Sequence, residues 1–196
     1  MQIREIIYSD VESFVNLIKQ VESESPFMLF ESGERKISPE VQKKRIEVMN
    51  KSENSTIFIA ELDNQLIGYL IAMGGNANRN KHSVYLVIGI IARYRGLGIG
   101  TKLIEQLEKW ATEHGIHRLE LTVLTDNEAG LRLYKKMGFD IEGTKRHSLF
   151  IDGQFVDEYY MSKLLWFALD DNKIFNVNYT QPTYTLLNKQ KMTFKD

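Results

Sequence analysis

The chain has 196 residues, 43% hydrophobic and 26% charged, the composition of one soluble globular domain with a substantial core. Its 25 lysines and arginines nearly cancel its 26 aspartates and glutamates, so no global field favours nucleic acid, a membrane surface or an acidic partner. Without cysteine there are no disulfides, thiolate metal sites or acyl-cysteine intermediates; with no signal-peptide run or bilayer-length apolar stretch either, a cytoplasmic protein is expected.

Residues 2–7 alternate as a first strand, and Ser9 with Glu12 forms a capping box for a helix carrying Val11, Phe14, Val15, Ile18 and Val21 at helical spacing. An irregular connection from Ser25 to Ile37 leads to Ser38-Pro39-Glu40, which opens a second helix that stops near Asn50. Residues 56–62 and 65–73 read as an antiparallel hairpin around Asp63-Asn64. After the break at Gly74-Gly75-Asn76-Ala77-Asn78, Val84 to Ile91 is a third apolar run. It feeds through glycines into a helix with Leu103, Ile104, Leu107 and Trp110 on one face. His117 to Leu124 is another strand, Asn127 to Met137 a helix ended by Gly138, and 139–164 two strands joined at Asp152-Gly153. Asp170 to Asp196 lacks helical period and reads as an appended arm of unknown role, leaving 1–169 as the domain.

A helix that starts at a glycine-rich turn exposes unpaired N–H groups at its positive end, a natural seat for phosphate. Gly96, Gly98 and Gly100 would let a bulky anion approach the main chain; equally, they could serve only a tight strand-to-helix turn. A P-loop needs Lys followed by Ser or Thr after its last glycine, whereas Gly100 is followed by Thr101-Lys102. The dinucleotide fingerprint finds Gly96 and Gly98 but has Thr101 at its third glycine; with Glu120 downstream, a dinucleotide-binding domain stays as an alternative.

Arg95-Gly96-Leu97-Gly98-Ile99-Gly100 resembles the signature Arg/Gln-x-x-Gly-x-Gly/Ala of the GNAT superfamily of N-acetyltransferases. Asn127, Ala129, Leu133-Tyr134 and Gly138-Phe139 resemble its second block, and the likeness spans roughly residues 2–165. The resemblance implies an α/β GNAT fold, a twisted mixed sheet flanked by helices and splayed between strands 4 and 5. It implies acetyl-CoA as cosubstrate and a primary amine as acceptor: a small molecule, amino acid, polyamine or peptide N-terminus. The main chain of Ile88, Gly89 and Ile90 would pair with pantetheine, and the amides of Gly96, Leu97, Gly98, Ile99, Gly100 and Thr101 would hold the pyrophosphate. Asn127 would cap its helix and bond the cofactor arm, and the N–H of Ile90 would stabilise the oxyanion. Arg95 either adds charge near phosphate or is an exposed turn arginine. A homodimer is common among such relatives, and a GNAT-like module that binds acyl-CoA without catalysis remains a further alternative.

Acetyl transfer needs a neutral amine, oxyanion stabilisation and a proton for the departing thiolate. Tyr134 matches the family's general acid, since a phenol of pKa about 10 held close can protonate a thiolate of about 8.5; the other reading is an amphipathic core tyrosine. Relatives of the N-terminal acetyltransferase type carry a glutamate where this chain has Thr122, so the base is sought among Glu120, Glu31, Glu34 or a water. His82 suits proton relay or lies in solvent. His114, His117 and His147 lack metal-ligand spacing, so no metal is expected, and Trp110 and Trp166 read as packing residues.

Overall fold

The computed structural model describes residues 1–165. Its elements run β1 (Gln2–Glu5), α1 (Val11–Glu24), α2 (Pro39–Asn50), β2 (Thr56–Leu62), β3 (Gln65–Gly74), β4 (Ser83–Ile90), α3 (Ile99–Glu113), β5 (Arg118–Leu124), α4 (Glu128–Lys136), β6 (Asp140–Ile151) and β7 (Gln154–Leu164). This is the order expected from the sequence. The arm at 170–196 and Trp166 lie outside the described residues.

The seven strands form one sheet in the order β1-β2-β3-β4-β5-β7-β6. Both hairpin turns follow their residues: Asp63 and Asn64 have φ of 50° and 61°, and Asp152 and Gly153 have 49° and 79°. Two successive left-handed residues give the turn whose twist matches the strands on either side. Ser38 accepts from Val41 N–H at 3.3 Å with Pro39 in the first turn, so α2 starts where the sequence says.

Ser9 does not cap α1. A 3-10 turn at Tyr8–Asp10 precedes the helix, and no side chain accepts from its first N–H groups. The Asp10 carboxylate accepts from Ile7 N–H at 2.8 Å and takes Arg4 through two bonds of 2.7 and 2.9 Å. Arg4 also reaches Glu61 of β2 at 2.8 Å. A bidentate, charge-assisted pair outweighs a neutral hydroxyl cap, and it ties the helix entry to the sheet.

Helices α1 and α2 bury Phe14, Ile18 and Ile46 in one cluster with Ile57, Ile59, Tyr69 and Ile71. Helix α3 buries Leu103, Ile104 and Leu107. It lies on the opposite face: Gly68 alternates with Tyr69 along β3, and a side-chain carbon at Gly68 would stand 3.5 Å from Ile99 of α3.

Candidate active site

The main chain of β4 divides its hydrogen bonds between two sides. Ile91 N–H donates to Ile67 C=O, and Gly75 N–H to Ser83 C=O, each at 3.1 Å. Bonded and non-bonded pairs alternate in an antiparallel ladder, so between these anchors Gly89, Val87 and Tyr85 are the residues that bond β3, through Tyr69, Ile71 and Met73. Leu86, Ile88 and Ile90 therefore turn their N–H and C=O groups toward β5. Strand β5 runs parallel to β4 but pairs with it only at Ser83–Arg118, Val84–Leu119 and Tyr85–Glu120. Beyond Tyr85 the strands part, leaving the Ile88 and Ile90 amides facing the split.

Of the three residues expected there, Gly89 differs. Its main chain belongs to the β3 ladder, and its lack of a side chain makes room for Tyr69, whose ring carbons would lie 2.5 Å from a Cβ. The Ile90 carbonyl accepts from Arg95 Nε at 3.0 Å, leaving its N–H as the group open to the split.

The split leads to the start of α3. Gly96 and Gly98 both have φ of 77°, a left-handed conformation costly for other residues, and a Cβ at either would meet open space. Lys102 N–H makes a helical bond to Gly98 C=O at 3.1 Å, so the N–H groups of Ile99, Gly100 and Thr101 precede it at the helix's positive end. Gly100 has a different reason to be glycine: a Cβ there would come within 2.6 Å of Leu133 Cδ2, so α3 and α4 touch at this point. Arg95 bends away, with Nη2 donating to the Glu24 carbonyl at 3.3 Å besides its bond to Ile90.

Helix α4 forms the other wall. Asn127 Oδ1 caps it by accepting from Gly130 N–H at 2.9 Å, and its Nδ2 forms no hydrogen bond among the described residues. Tyr134 packs edge-on against Phe139 with centroids 5.8 Å apart. Its hydroxyl forms no hydrogen bond among the described residues; desolvation, with the nearby Tyr85, pushes its pKa up to about 12.

Tyr85 opens a hydrogen-bonded chain across the vertex of the split. Its hydroxyl is 2.7 Å from Thr122 Oγ1, which donates to Glu158 Oε1 at 2.7 Å, and Lys145 reaches Glu158 Oε2 at 3.2 Å. Burial opposes ionisation of Glu158, yet Thr122, Ser148 and Lys145 together hold its pKa below the ordinary carboxylate value. Since an ionised Glu158 only accepts, Thr122 spends its proton there and Tyr85 must donate to Thr122. The sequence offered no signal for this chain, because Glu158 meets Thr122 only through the pairing of β5 with β7.

The profile of the Acetyltransferase (GNAT) family matches residues 18–139. The chain belongs to this family. An L-amino acid N-acetyltransferase of Escherichia coli K12 is 32% identical over 110 residues, covering 54% of this chain and 66% of that protein, a little under two thirds of its length. The structure of a GNAT-family acetyltransferase from Streptococcus pneumoniae superposes with a TM-score of 0.81 at 31% identity, covering 84% of this chain and 99% of that one. A phosphinothricin acetyltransferase from Sinorhizobium meliloti, solved in complex with acetyl-CoA, shares the fold with a TM-score of 0.71 at 19% identity, covering 84% and 88%.

The GNAT sheet also disposes of the dinucleotide reading. Among the described residues its parallel pairing is limited to β4 with β5, whereas a doubly wound domain is built from successive parallel βαβ units. The carboxylates considered for the base are ion-paired or exposed. Glu120 is bound by Arg118 at 2.6 Å, Glu34 accepts from Glu31 N–H at 2.9 Å, and both Glu31 and Glu34 are exposed. His82 is exposed, with its carbonyl taking the N–H groups of His117 and Arg118. His114 stacks on Trp110 at 4.5 Å, and His147 on Phe155 at 5.2 Å. Among the described residues no three metal-ligating side chains gather, and no helix is long and apolar enough to cross a membrane.

Proposed function

We propose that the chain is an acetyl-CoA-dependent N-acetyltransferase that passes the acetyl group to a primary amine by direct attack, with no covalent enzyme intermediate. The observation that carries the reading is the continuity of the site: the unpaired amides of β4 past Tyr85 run into the open start of α3. The acetyl-CoA complex of the Sinorhizobium meliloti relative supports the choice of cosubstrate, and the activity of the Escherichia coli relative includes amino acids among the acceptors.

In this reading the amides of Gly96 to Thr101 hold the pyrophosphate, aided by the helix dipole. The Ile88 carbonyl accepts from a pantetheine amide as a missing strand would, and Asn127 Nδ2 adds a bond from the opposite wall. The Ile90 N–H, fixed before reaction, stabilises the developing oxyanion, and Ile88 N–H offers a second donor deeper in the split. The new C–N bond forms as the C–S bond breaks; Tyr134 gives its proton to the departing thiolate, and a water takes the proton of the amine. The Tyr85 hydroxyl directs its proton to Thr122 Oγ1 and accepts from Thr122 N–H at 3.3 Å, which fixes both residues at the vertex of the split. Free-thiol release across pooled amines, amino acids, polyamines and peptides tests the reading: amine-dependent release is expected, and its absence with every acceptor overturns the catalytic role.

A further inference from the structure

Arg45 and Tyr69 lie together beneath α2 with no nitrogen or oxygen partner among the described residues. Arg45 is half-buried, and its one hydrogen bond among the described residues runs from Nη2 to the weakly accepting Met73 Sδ, at 3.5 Å. It forms no ion pair with any described carboxylate. Desolvation, then the charge of Arg35, lowers its pKa, while Tyr69 opposes the shift. Tyr69 is 1% exposed, and its hydroxyl has no hydrogen bond among the described residues. Gln42, one turn before Arg45 on the same side of α2, is 3% exposed with its Oε1 unpartnered.

The neighbouring charges do not supply what Arg45 lacks. Glu22 is buried, but it is taken by Arg35 through bonds of 2.9 and 2.5 Å, and Arg35 also lies 4.4 Å over the Phe30 ring. Arg35 thus takes the carboxylate, and Arg45, itself desolvated, is left without one. A desolvated cation beside an unspent hydroxyl is the donor set of an anion site.

The location connects it to the split. Met73 stands opposite Tyr85, and Tyr69 opposite Gly89, so their side chains share the α1–α2 face over the part of β4 where β5 departs. Tyr69 Oη would lie only 2.8 Å from a Cβ on Gly89, over the strand whose next amides face the cofactor.

We infer that Arg45, with Tyr69, forms a carboxylate subsite, and that the acceptor is a free amino acid whose amine reaches the split while its carboxylate lies on Arg45. The inference rests on the acetyltransferase reading above and narrows its acceptor. A polyamine would bring cations against Arg45 and Arg35, and a peptide N-terminus carries no carboxylate next to its amine.

The test compares the 20 common L-amino acids with matched amines lacking the carboxylate (phenethylamine, tyramine, tryptamine and histamine) and with amino amides, for the wild type and Arg45→Met. Methionine preserves the packing volume against Met73. Amino acids are expected to exceed their matched amines in kcat/KM by about tenfold or more, the size of one charge-assisted contact. Arg45→Met should raise amino-acid KM by about as much with acetyl-CoA affinity retained, and Arg45→Lys should recover part of the loss. Tyr69→Phe, which removes only the hydroxyl, should raise KM by a smaller factor. Amines or amides used as well as amino acids, or an unchanged amino-acid KM in Arg45→Met, overturns the subsite. A protein that binds acetyl-CoA yet acetylates no amino acid also overturns it and leaves the cofactor reading standing; failure to bind acetyl-CoA removes the underlying reading itself.

Discussion

Tyr134→Phe separates a catalytic hydroxyl from a packing one. The ring packs against Phe139 in either residue, so its apolar burial is retained. The hydroxyl has no hydrogen bond to lose among the described residues, and burial raises its pKa from 10.0 to about 12, which makes its ionisation harder by about 3 kcal/mol. Removing a desolvated, unpaired hydroxyl should leave unfolding free energy within about 0.5 kcal/mol of wild type, whereas deleting a satisfied one costs about 1 kcal/mol. The proton transfer is demanding: from a phenol at about 12 to a thiolate near 8.5 is uphill by about 5 kcal/mol before the bound cofactor changes the surroundings. General acid catalysis contributes about 10²–10⁴ in rate, so turnover should fall at least about a hundredfold with acetyl-CoA affinity nearly unchanged. Urea unfolding, calorimetry and thiol-release kinetics on the same preparations measure all three. Turnover within about threefold of wild type, or a stability loss beyond about 1 kcal/mol with a matching loss of affinity, would refute the reasoning.

Gly98→Ala should cost about 1–2 kcal/mol in urea unfolding through its φ of 77° alone, because a Cβ there meets nothing, while Gly143→Ala, with φ outside that region and equally open, should be close to neutral. Asn127→Asp keeps an oxygen to cap α4 but removes the Nδ2 donor and adds a negative charge, so stability should hold while calorimetry shows weaker acetyl-CoA binding. Hydrogen bonding from Arg118 holds Glu142 at about 2, below its ordinary 4.5. A depressed carboxylate contributes stability that is fully present above its unfolded pKa and is lost as pH falls through its folded one. The stability gap between wild type and Glu142→Gln should therefore be widest near neutrality and close between about pH 4.5 and 2; a gap that widens on acidification would contradict the pairing.

What could be read from the sequence was local. Asp63-Asn64 and Asp152-Gly153 declare their turns, and Ser38-Pro39-Glu40 declares a helix start, because each depends on residues adjacent in the chain. The glycine run was legible as a helix-opening loop, yet its three glycines looked alike: Gly96 and Gly98 answer to backbone angle and Gly100 to Leu133, which arrives more than thirty residues later. Ser9 and Glu12 had the right spacing for a cap, but Arg4, held by Glu61 across the β1–β2 pairing, recruits Asp10, which spacing does not reveal. Thr122 with Glu158, and Arg45 with Met73 and Tyr69, are likewise neighbours only in the folded sheet. Nothing adjacent in the sequence marks Gln42 or Arg45 apart from the lysines between them; the fold turns these two inward.

The most direct measurement is calorimetric titration with acetyl-CoA, with NADH as a parallel control, followed by free-thiol release from the same protein with amino acids as acceptors. Saturable acetyl-CoA binding, no NADH binding and amine-dependent thiol release are the predicted results. No acetyl-CoA binding would contradict the central claim, and binding without release from any amine would reduce the chain to an acyl-CoA-binding module.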